Sequence, residues 1–294
     1  MSDFETRLAH ISRCIQILPD KPEETPESTL RALWMKAAGS PMSAERSLTV
    51  ELPKLDTAQK KVLEEMIRRR LEGVPLGHLT GRQMFMGLEL TVSPDALLPR
   101  RETEILGHAA LTIAAELNGE SGTPLIVDTC CGSGNVALAV ADQVSEVRVV
   151  GVDLSSEAVA LAELNARNLG LSNRVEFRVG DLLKPVEVLA RKVDLITCNP
   201  PYISTASVET MDTEIAGHEP PMAFDGGPFG VKILRRLLKE APAVLRPRGF
   251  LAFEVGLGQG EPMSERMRRL GVFDSIDVFN DASGAIRAIG ARLA

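Results

Sequence analysis

Apolar side chains in the N-terminal part of the chain recur at helical spacing. Phe4, Leu8, Ile11 and Ile15 form one stripe, which Pro19 ends; Leu30, Leu33, Trp34 and Ala37 form a second, which stops before Gly39. Asp56 is placed to cap a third helix, with Val62, Leu63, Met66, Ile67 and Leu71 on one side and Gly73 at its close. These stripes predict a small helical domain, in which the Arg68-Arg69-Arg70 run reads as a solvated face. Between Pro75 and Pro94 the pattern changes. Met84-Phe85-Met86 and Leu88 to Val92, on either side of Gly87, predict the two strands of a hairpin. Leu98-Pro99-Arg100-Arg101-Glu102-Thr103-Glu104 then leads into a helical run through Ile105, Ala109, Leu111 and Ile113, with Glu102 and Glu104 favouring its first turn electrostatically.

From Pro124 onward strands and helices alternate, which predicts an α/β fold on a parallel sheet with helices on both faces. Pro124 to Asp128, Arg148 to Asp153, Arg174 to Asp181 and Val193 to Cys198 read as successive strands. A helix follows each of the first two, the second capped by Ser155 or Ser156. After a long loop come a helix over Val231 to Leu245 and a strand over Gly249 to Glu254. Ile276 to Phe279 and Ala285 to Ile289 read as a closing antiparallel pair.

Composition narrows the possibilities. With 294 residues the chain is long enough for two domains. A net charge of −7 argues against exposed nucleic-acid backbone as the main partner, because that affinity comes from Lys and Arg displacing counterions. Cys14, Cys130, Cys131 and Cys198 have neither CxxC nor Cys/His ligand spacing, so reduced thiols and no metal site are expected. The charged N-terminus lacks the apolar core of a signal peptide, and no apolar run approaches the roughly 20 residues of a membrane span. A cytoplasmic location is expected.

The strand ends carry the candidate chemistry. In an open α/β sheet, ligands sit beyond the carboxyl ends of the strands. Three strands in succession here end in Asp128, Asp153 and Asp181, and the first leads through Cys130, Gly132 and Gly134. Glycines let a backbone bend sharply and come close to a ligand, and an acid at the next strand end can take both hydroxyls of a ribose. A dinucleotide fold shares these features, but Cys130 stands where its first glycine belongs, and there is no Gly-Lys-Ser/Thr phosphate cradle. A nucleoside bearing a sulfonium and an amino acid, without pyrophosphate, fits better. The fourth strand runs into Asn199-Pro200-Pro201-Tyr202. Its two prolines have no N–H and fix φ, so the ladder stops. Asn199 and Tyr202 are left on a rigid lip with an amide oxygen, an uncaptured carbonyl and an aromatic face, groups suited to gripping a planar, uncharged NH2.

Asn199-Pro-Pro-Tyr202 resembles the signature of S-adenosylmethionine-dependent enzymes that methylate amide or exocyclic amino nitrogens. With the other motifs in order, the chain is similar over nearly its whole length to the HemK/PrmC family. Its members are protein-(glutamine-N5) methyltransferases acting on the Gly-Gly-Gln motif of peptide chain release factors. Pro75 to Gly81 with Phe85 and Gly87-Leu88 is similar to the family's hinge segment, and Leu98 to Glu104 to its Pro-Arg-x-Glu-Thr-Glu element. Glu219-Pro220, Ala223 and Gly226-Gly227 match the loop after the catalytic motif, and Glu254-Val-Gly256 with Gln259 a later strand end.

The resemblance implies a seven-stranded Rossmann-like class I methyltransferase domain over residues 98–294. A helical substrate-recognition domain over 1–74 and a hairpin linker over 75–97 would precede it. It implies S-adenosyl-L-methionine as cofactor, held by Asp128, Cys130, Gly132, Gly134 and Asn199, with Asp153 on the ribose and Asp181 near the adenine. Asn199, Pro200 and Tyr202 are the implied catalytic residues; Pro201, Glu219 and Arg100 join them at the substrate. The implied partner is a release factor, and the chain is expected to be a monomer.

Cys130 and Cys131 depart from the family's Gly-Thr, His78 from a tyrosine, Arg101 from a proline and Phe229 from an aspartate. Phe229 and His78 keep a relative that methylates a small-molecule amine or amide in view. An adenine-N6 nucleic-acid methyltransferase shares the Asn-Pro-Pro-Tyr problem, but the acidic balance counts against it. A non-catalytic module is disfavoured by intact Asn199 and Asp153.

Overall fold

The computed structural model describes residues 2–17, 21–118, 122–208 and 219–294; Pro19, expected to end the first helix, lies outside them. The chain divides into two compact units, one running up to Pro94 and taking in Glu219, the other starting at Asp95.

The first unit holds α1 (Asp3–Cys14), α2 (Pro26–Ala37), α3 (Ala44–Ser47), α4 (Thr57–Leu71), α5 (Leu76–Thr80) and a hairpin of β1 (Arg82–Phe85) and β2 (Leu88–Thr91). Reciprocal capping boxes start two of the helices, Ser2 with Glu5 at α1 and Asp56 with Gln59 at α4. Ile11, Leu30, Leu33, Leu63 and Ile67 form the core with Trp34, whose indole N–H donates to the carbonyl of Pro53 at 2.8 Å. The hairpin turns on Met86 and Gly87, both at positive φ (47° and 87°), which matches the twist of the paired strands. The arginine run is only partly solvated. Arg68 and Arg69 are exposed, but Arg70 is buried with its guanidinium 3.0 Å from a Glu24 oxygen, because a cation leaves water only with a paired anion.

The second unit opens with α6 (Arg101–Asn118) and continues β3 (Leu125–Thr129), α7 (Asn135–Gln143), β4 (Arg148–Asp153), α8 (Ser156–Asn168), β5 (Val175–Val179) and β6 (Val193–Cys198). It ends with α9 (Thr205–Val208), α10 (Lys232–Val244), β7 (Leu245–Glu254), α11 (Gly260–Leu270), β8 (Phe273–Asn280) and β9 (Ile286–Leu293). Seven strands form one sheet in the order β5-β4-β3-β6-β7-β9-β8. The first five are parallel neighbours, and β9 runs antiparallel to both β7 and β8. This is the α/β sheet that the alternating pattern predicts. Val127, Val150, Ile196, Leu251 and Phe253 of the strands bury against Leu234, Leu237 and Leu238 of α10 and Met263 and Met267 of α11. β5 stops short of the expected Asp181. Gly180 bends the chain there, and a methyl on it would run into the ring of Pro185.

Candidate active site

Strand order reverses at β3: the sheet grows outward through β4 to β5, and β6 then lies on the other side of β3. Thr129 and Cys198 are register partners in these adjoining strands. The loop after β3 and the Asn199-Pro-Pro-Tyr202 segment therefore leave the sheet side by side, at the switch point where open α/β sheets bind ligands.

The proline segment is fastened from two directions. The N–H of Ile203 donates to the carbonyl of Phe224 at 3.0 Å, and the Ile203 carbonyl accepts from Gly226 at 2.8 Å. Gly226 has to be glycine, since a methyl there would sit 2.6 Å from the carbonyl oxygen of Pro201. From the other side the Gln259 amide donates to the Tyr202 carbonyl at 2.9 Å, while its oxygen accepts from Gly256 at 3.0 Å. Pro200 is buried, and Asn199, Pro201 and Tyr202 are half-buried.

The neighbouring loop is bent by three residues at positive φ: Cys130 (57°), Gly132 (52°) and Gly134 (81°). Cys130 thus carries a β-carbon in a conformation natural to glycine. A methyl on Gly132 would meet nothing within 4 Å, so its backbone lies open; one on Gly134 would come within 2.8 Å of Phe177. Asp153, at the end of β4, accepts from the N–H of Gly132 at 2.8 Å and from that of Ser155 at 3.0 Å. Each oxygen keeps a further lone pair.

The other two strand-end acids are placed differently. Asp128 precedes the last residue of β3 and is buried beneath the loop. Its oxygens accept from the Thr197 hydroxyl at 2.7 Å and the Ala137 N–H at 3.1 Å, and burial pushes its carboxyl up to about 7. It ties β3, β6 and α7 together under the site. Asp181 lies beyond Gly180, paired to both terminal nitrogens of Arg236 (2.8 and 3.1 Å) and to Lys184 (2.9 Å). Hydrogen bonds from those two cations hold its carboxyl down at about 2. Burial pushes the thiols of Cys131 and Cys198 well up, so neither is a ready thiolate.

Asn199 anchors a second, buried network. Its Nδ2 donates to the Thr103 hydroxyl at 3.0 Å, in the first turn of α6, where the Thr103 N–H donates to the Arg100 carbonyl at 3.2 Å. The hydroxyls of Thr103 and Tyr202 both hydrogen-bond to the carboxylate of Glu254, the last residue of β7. Thr103 and Glu254 are each 1% exposed. Burial pushes the Glu254 carboxyl up to about 7 in spite of these hydroxyls and Arg287; burial and the charge of Glu254 push the Tyr202 phenol up. Glu254 Oε2 and Arg287 Nε are buried without a hydrogen-bond partner among the described residues.

Of the residues singled out from the sequence, Cys130, Gly132, Gly134 and Asp153 share the loop junction, and Asn199 to Tyr202 form its neighbour. Glu219 is buried and grouped with the first unit, and Arg100 is half-buried at the start of α6. The structure adds Thr103, Glu254 and Gln259, which the sequence places only within longer matched segments. For Glu254 a signal was present: β7 is a fourth strand closing on a carboxylate. A backbone loop open at Gly132, an oriented acid and an amide-bearing lip together can hold a nucleoside beside a planar amino group.

Known proteins similar to the chain are methyltransferases. The family described as "Methyltransferase domain" matches residues 121–256. A release factor glutamine methyltransferase from Moorella thermoacetica is 39% identical over 223 residues, 76% of each chain. One from Geobacter sulfurreducens is 36% identical over 78% of this chain and 76% of its own, and one from Bacillus subtilis 34% over 76% of each. Among solved structures, the catalytic domain of hMettl16 in complex with a MAT2A 3'UTR hairpin superposes with a TM-score of 0.55, at 11% identity over 70% of this chain and 76% of that one. At that identity the likeness is one of fold alone.

Proposed function

The chain belongs to the family of release factor glutamine methyltransferases, and from that premise we propose that it methylates the side-chain amide nitrogen (N5) of the glutamine in the Gly-Gly-Gln motif of peptide chain release factors. The methyl donor in this reading is S-adenosyl-L-methionine. The residues present fit it: Asp153 is oriented by two backbone N–H groups with lone pairs to spare for a ribose diol, and Gly132 leaves an open backbone edge. Asp153, Gly132, Cys130 and Gly134 would hold the nucleoside, with Asp181 near the base and Asp128 supporting the loop from below.

When bound, the donor supplies an electrophilic methyl group. The acceptor is a poor nucleophile, because the nitrogen lone pair of a carboxamide is delocalised into its carbonyl. Positioning must therefore carry much of the rate. Asn199 Oδ1 and the Pro200 carbonyl accept the two N–H bonds of the substrate amide, which orients the nitrogen and stabilises the positive charge that grows on it. Tyr202 and Pro201 pack against the planar group, and Arg100 and Glu219 contribute to the substrate side. No strong base is needed beforehand, since the proton becomes acidic only as the new bond forms. The helical first unit is read as the part that recognises the substrate protein, and the enzyme as a cytoplasmic monomer.

The observation that carries this reading is the Thr129–Cys198 register, which sets the Asn-Pro-Pro-Tyr lip beside the glycine loop. The test is incubation with labelled cofactor and purified release factor, then mass spectrometry of the Gly-Gly-Gln peptide. Free glutamine and duplex DNA serve as controls. Phe229, 82% exposed where the family has an aspartate, favours a second reading in which the same machinery takes another amide. Labelling of a small amide in preference to the release factor would select it.

A further inference from the structure

The side-chain amide of Asn199 serves an N–H substrate in only one of its two orientations. Turned one way it offers Oδ1; turned the other it offers an NH2, which cannot accept. The two ends of the amide have nearly the same shape, so hydrogen bonding rather than packing has to decide. The Thr103 hydroxyl has a single hydrogen, and an ionised carboxylate can only accept. With that hydrogen given to Glu254, Thr103 meets Asn199 with lone pairs alone, so only the NH2 can face it across 3.0 Å.

We propose that Glu254, acting through Thr103, is a positioning residue that holds Asn199 with its oxygen toward the substrate. The inference rests on the reading that Asn199 accepts an N–H of the methylated amide. The same carboxylate also receives the Tyr202 hydroxyl, so one buried group braces both ends of Asn-Pro-Pro-Tyr. The other charged groups facing it are Glu102 of α6 and Arg287 of β9. Protonated, the carboxyl gains a hydrogen of its own, and Thr103 is free to turn its hydrogen toward Asn199. The hold is thus half formed at about pH 7, strengthens as the pH rises above that value and weakens as it falls below.

Three variants test this: Thr103→Val, Thr103→Ser and Glu254→Gln. T103V and E254Q should each lower kcat by about tenfold or more with cofactor affinity kept within about twofold, and T103S should recover most of the loss. Because both act through Asn199, the double variant should be no slower than the slower single one. The fall in wild-type kcat below about pH 7 should disappear in E254Q. Multiplicative losses in the double variant, or an acid limb unchanged in E254Q, would overturn the relay.

A readout independent of turnover is the Asn199 side-chain amide signal in NMR spectra of asparagine-labelled protein, assigned by its loss in Asn199→Ala. It should shift through pH 7 in the wild type, stay still in E254Q and move in T103V. A signal indifferent to pH and to T103V overturns the relay. If the wild-type enzyme leaves the release factor unmodified, the substrate reading fails, and this signal alone decides the relay.

Discussion

Thr129 of β3 and Cys198 of β6 stand opposite each other in adjacent parallel strands, so the residues that follow them, Cys130 and Asn199, leave the sheet as neighbours. One of these begins a loop bent to expose backbone; the other begins a lip stiffened by two prolines. The proposed division of labour between binding and orientation rests on that pairing.

Asn199→Ala separates the two roles. The variant lacks the proposed acceptor for the substrate amide but leaves Asp153 and its two backbone donors in place. Turnover should fall by roughly 10²–10³-fold, the range for losing one preorganised hydrogen-bonding group at a reacting centre, while cofactor affinity stays within a few-fold. Titration calorimetry and peptide mass spectrometry read the two quantities. Turnover near the wild-type level would remove Asn199 from the mechanism.

Asp153→Ala does the reverse. Its oxygens are fixed by Gly132 and Ser155, so removal deletes a charged acceptor already held in one orientation. Each lost hydrogen bond to the carboxylate costs about 1.5–3 kcal/mol of cofactor binding, or about 10- to 150-fold in Kd. Unchanged affinity by calorimetry refutes the ribose assignment.

The loop glycines and Cys130 predict stability changes of opposite sign. Cys130 sits at φ 57°, and placing a β-carbon there costs on the order of 1 kcal/mol, so Cys130→Gly should raise the melting temperature slightly. Gly134→Ala should lower it by several degrees, since its methyl would press to within 2.8 Å of Phe177 at φ 81°. Calorimetric melts of the two variants give the signs directly. A Gly134→Ala protein as stable as the wild type would show that Phe177 is not held where the packing puts it.

The sheet, the acid closing β4 and the proline stop were legible because each is written in consecutive residues: period, turn and breaker. Long-range partners were not. Arg70 reads as one of three solvated arginines until Glu24, far away in sequence, is seen to pair with it in the core. Thr103 lies between two glutamates at a helix start and looks like surface; its burial comes from meeting Asn199 and the end of β7. The ending of β5 escaped for a similar reason, as the bend at Gly180 is enforced by the ring of Pro185 packed against it. Asp128 was legible as an acid at a strand end but not as one turned inward, because the Thr197 hydroxyl that captures it belongs to another strand.

That inward carboxyl makes stability depend on pH in a defined direction. Burial lifts Asp128 from 3.8 to about 7, more than its hydrogen bonds from Thr197 and Ala137 lower it, and the charge of Asp153 adds to the rise. Between about pH 4 and pH 7 the folded chain then holds a proton that the unfolded chain has lost. The stability this confers is complete below the unfolded value and disappears as the pH climbs to about 7. Asp128→Asn removes the titration and keeps the shape. Other titrating groups are common to both proteins and cancel in the difference. The unfolding free energy of the variant relative to the wild type should therefore move in the variant's favour by on the order of 2 kcal/mol from pH 5 to pH 8. Urea titrations at the two pH values measure it, and a difference that stays constant would mean that Asp128 ionises in the fold as readily as it does in water.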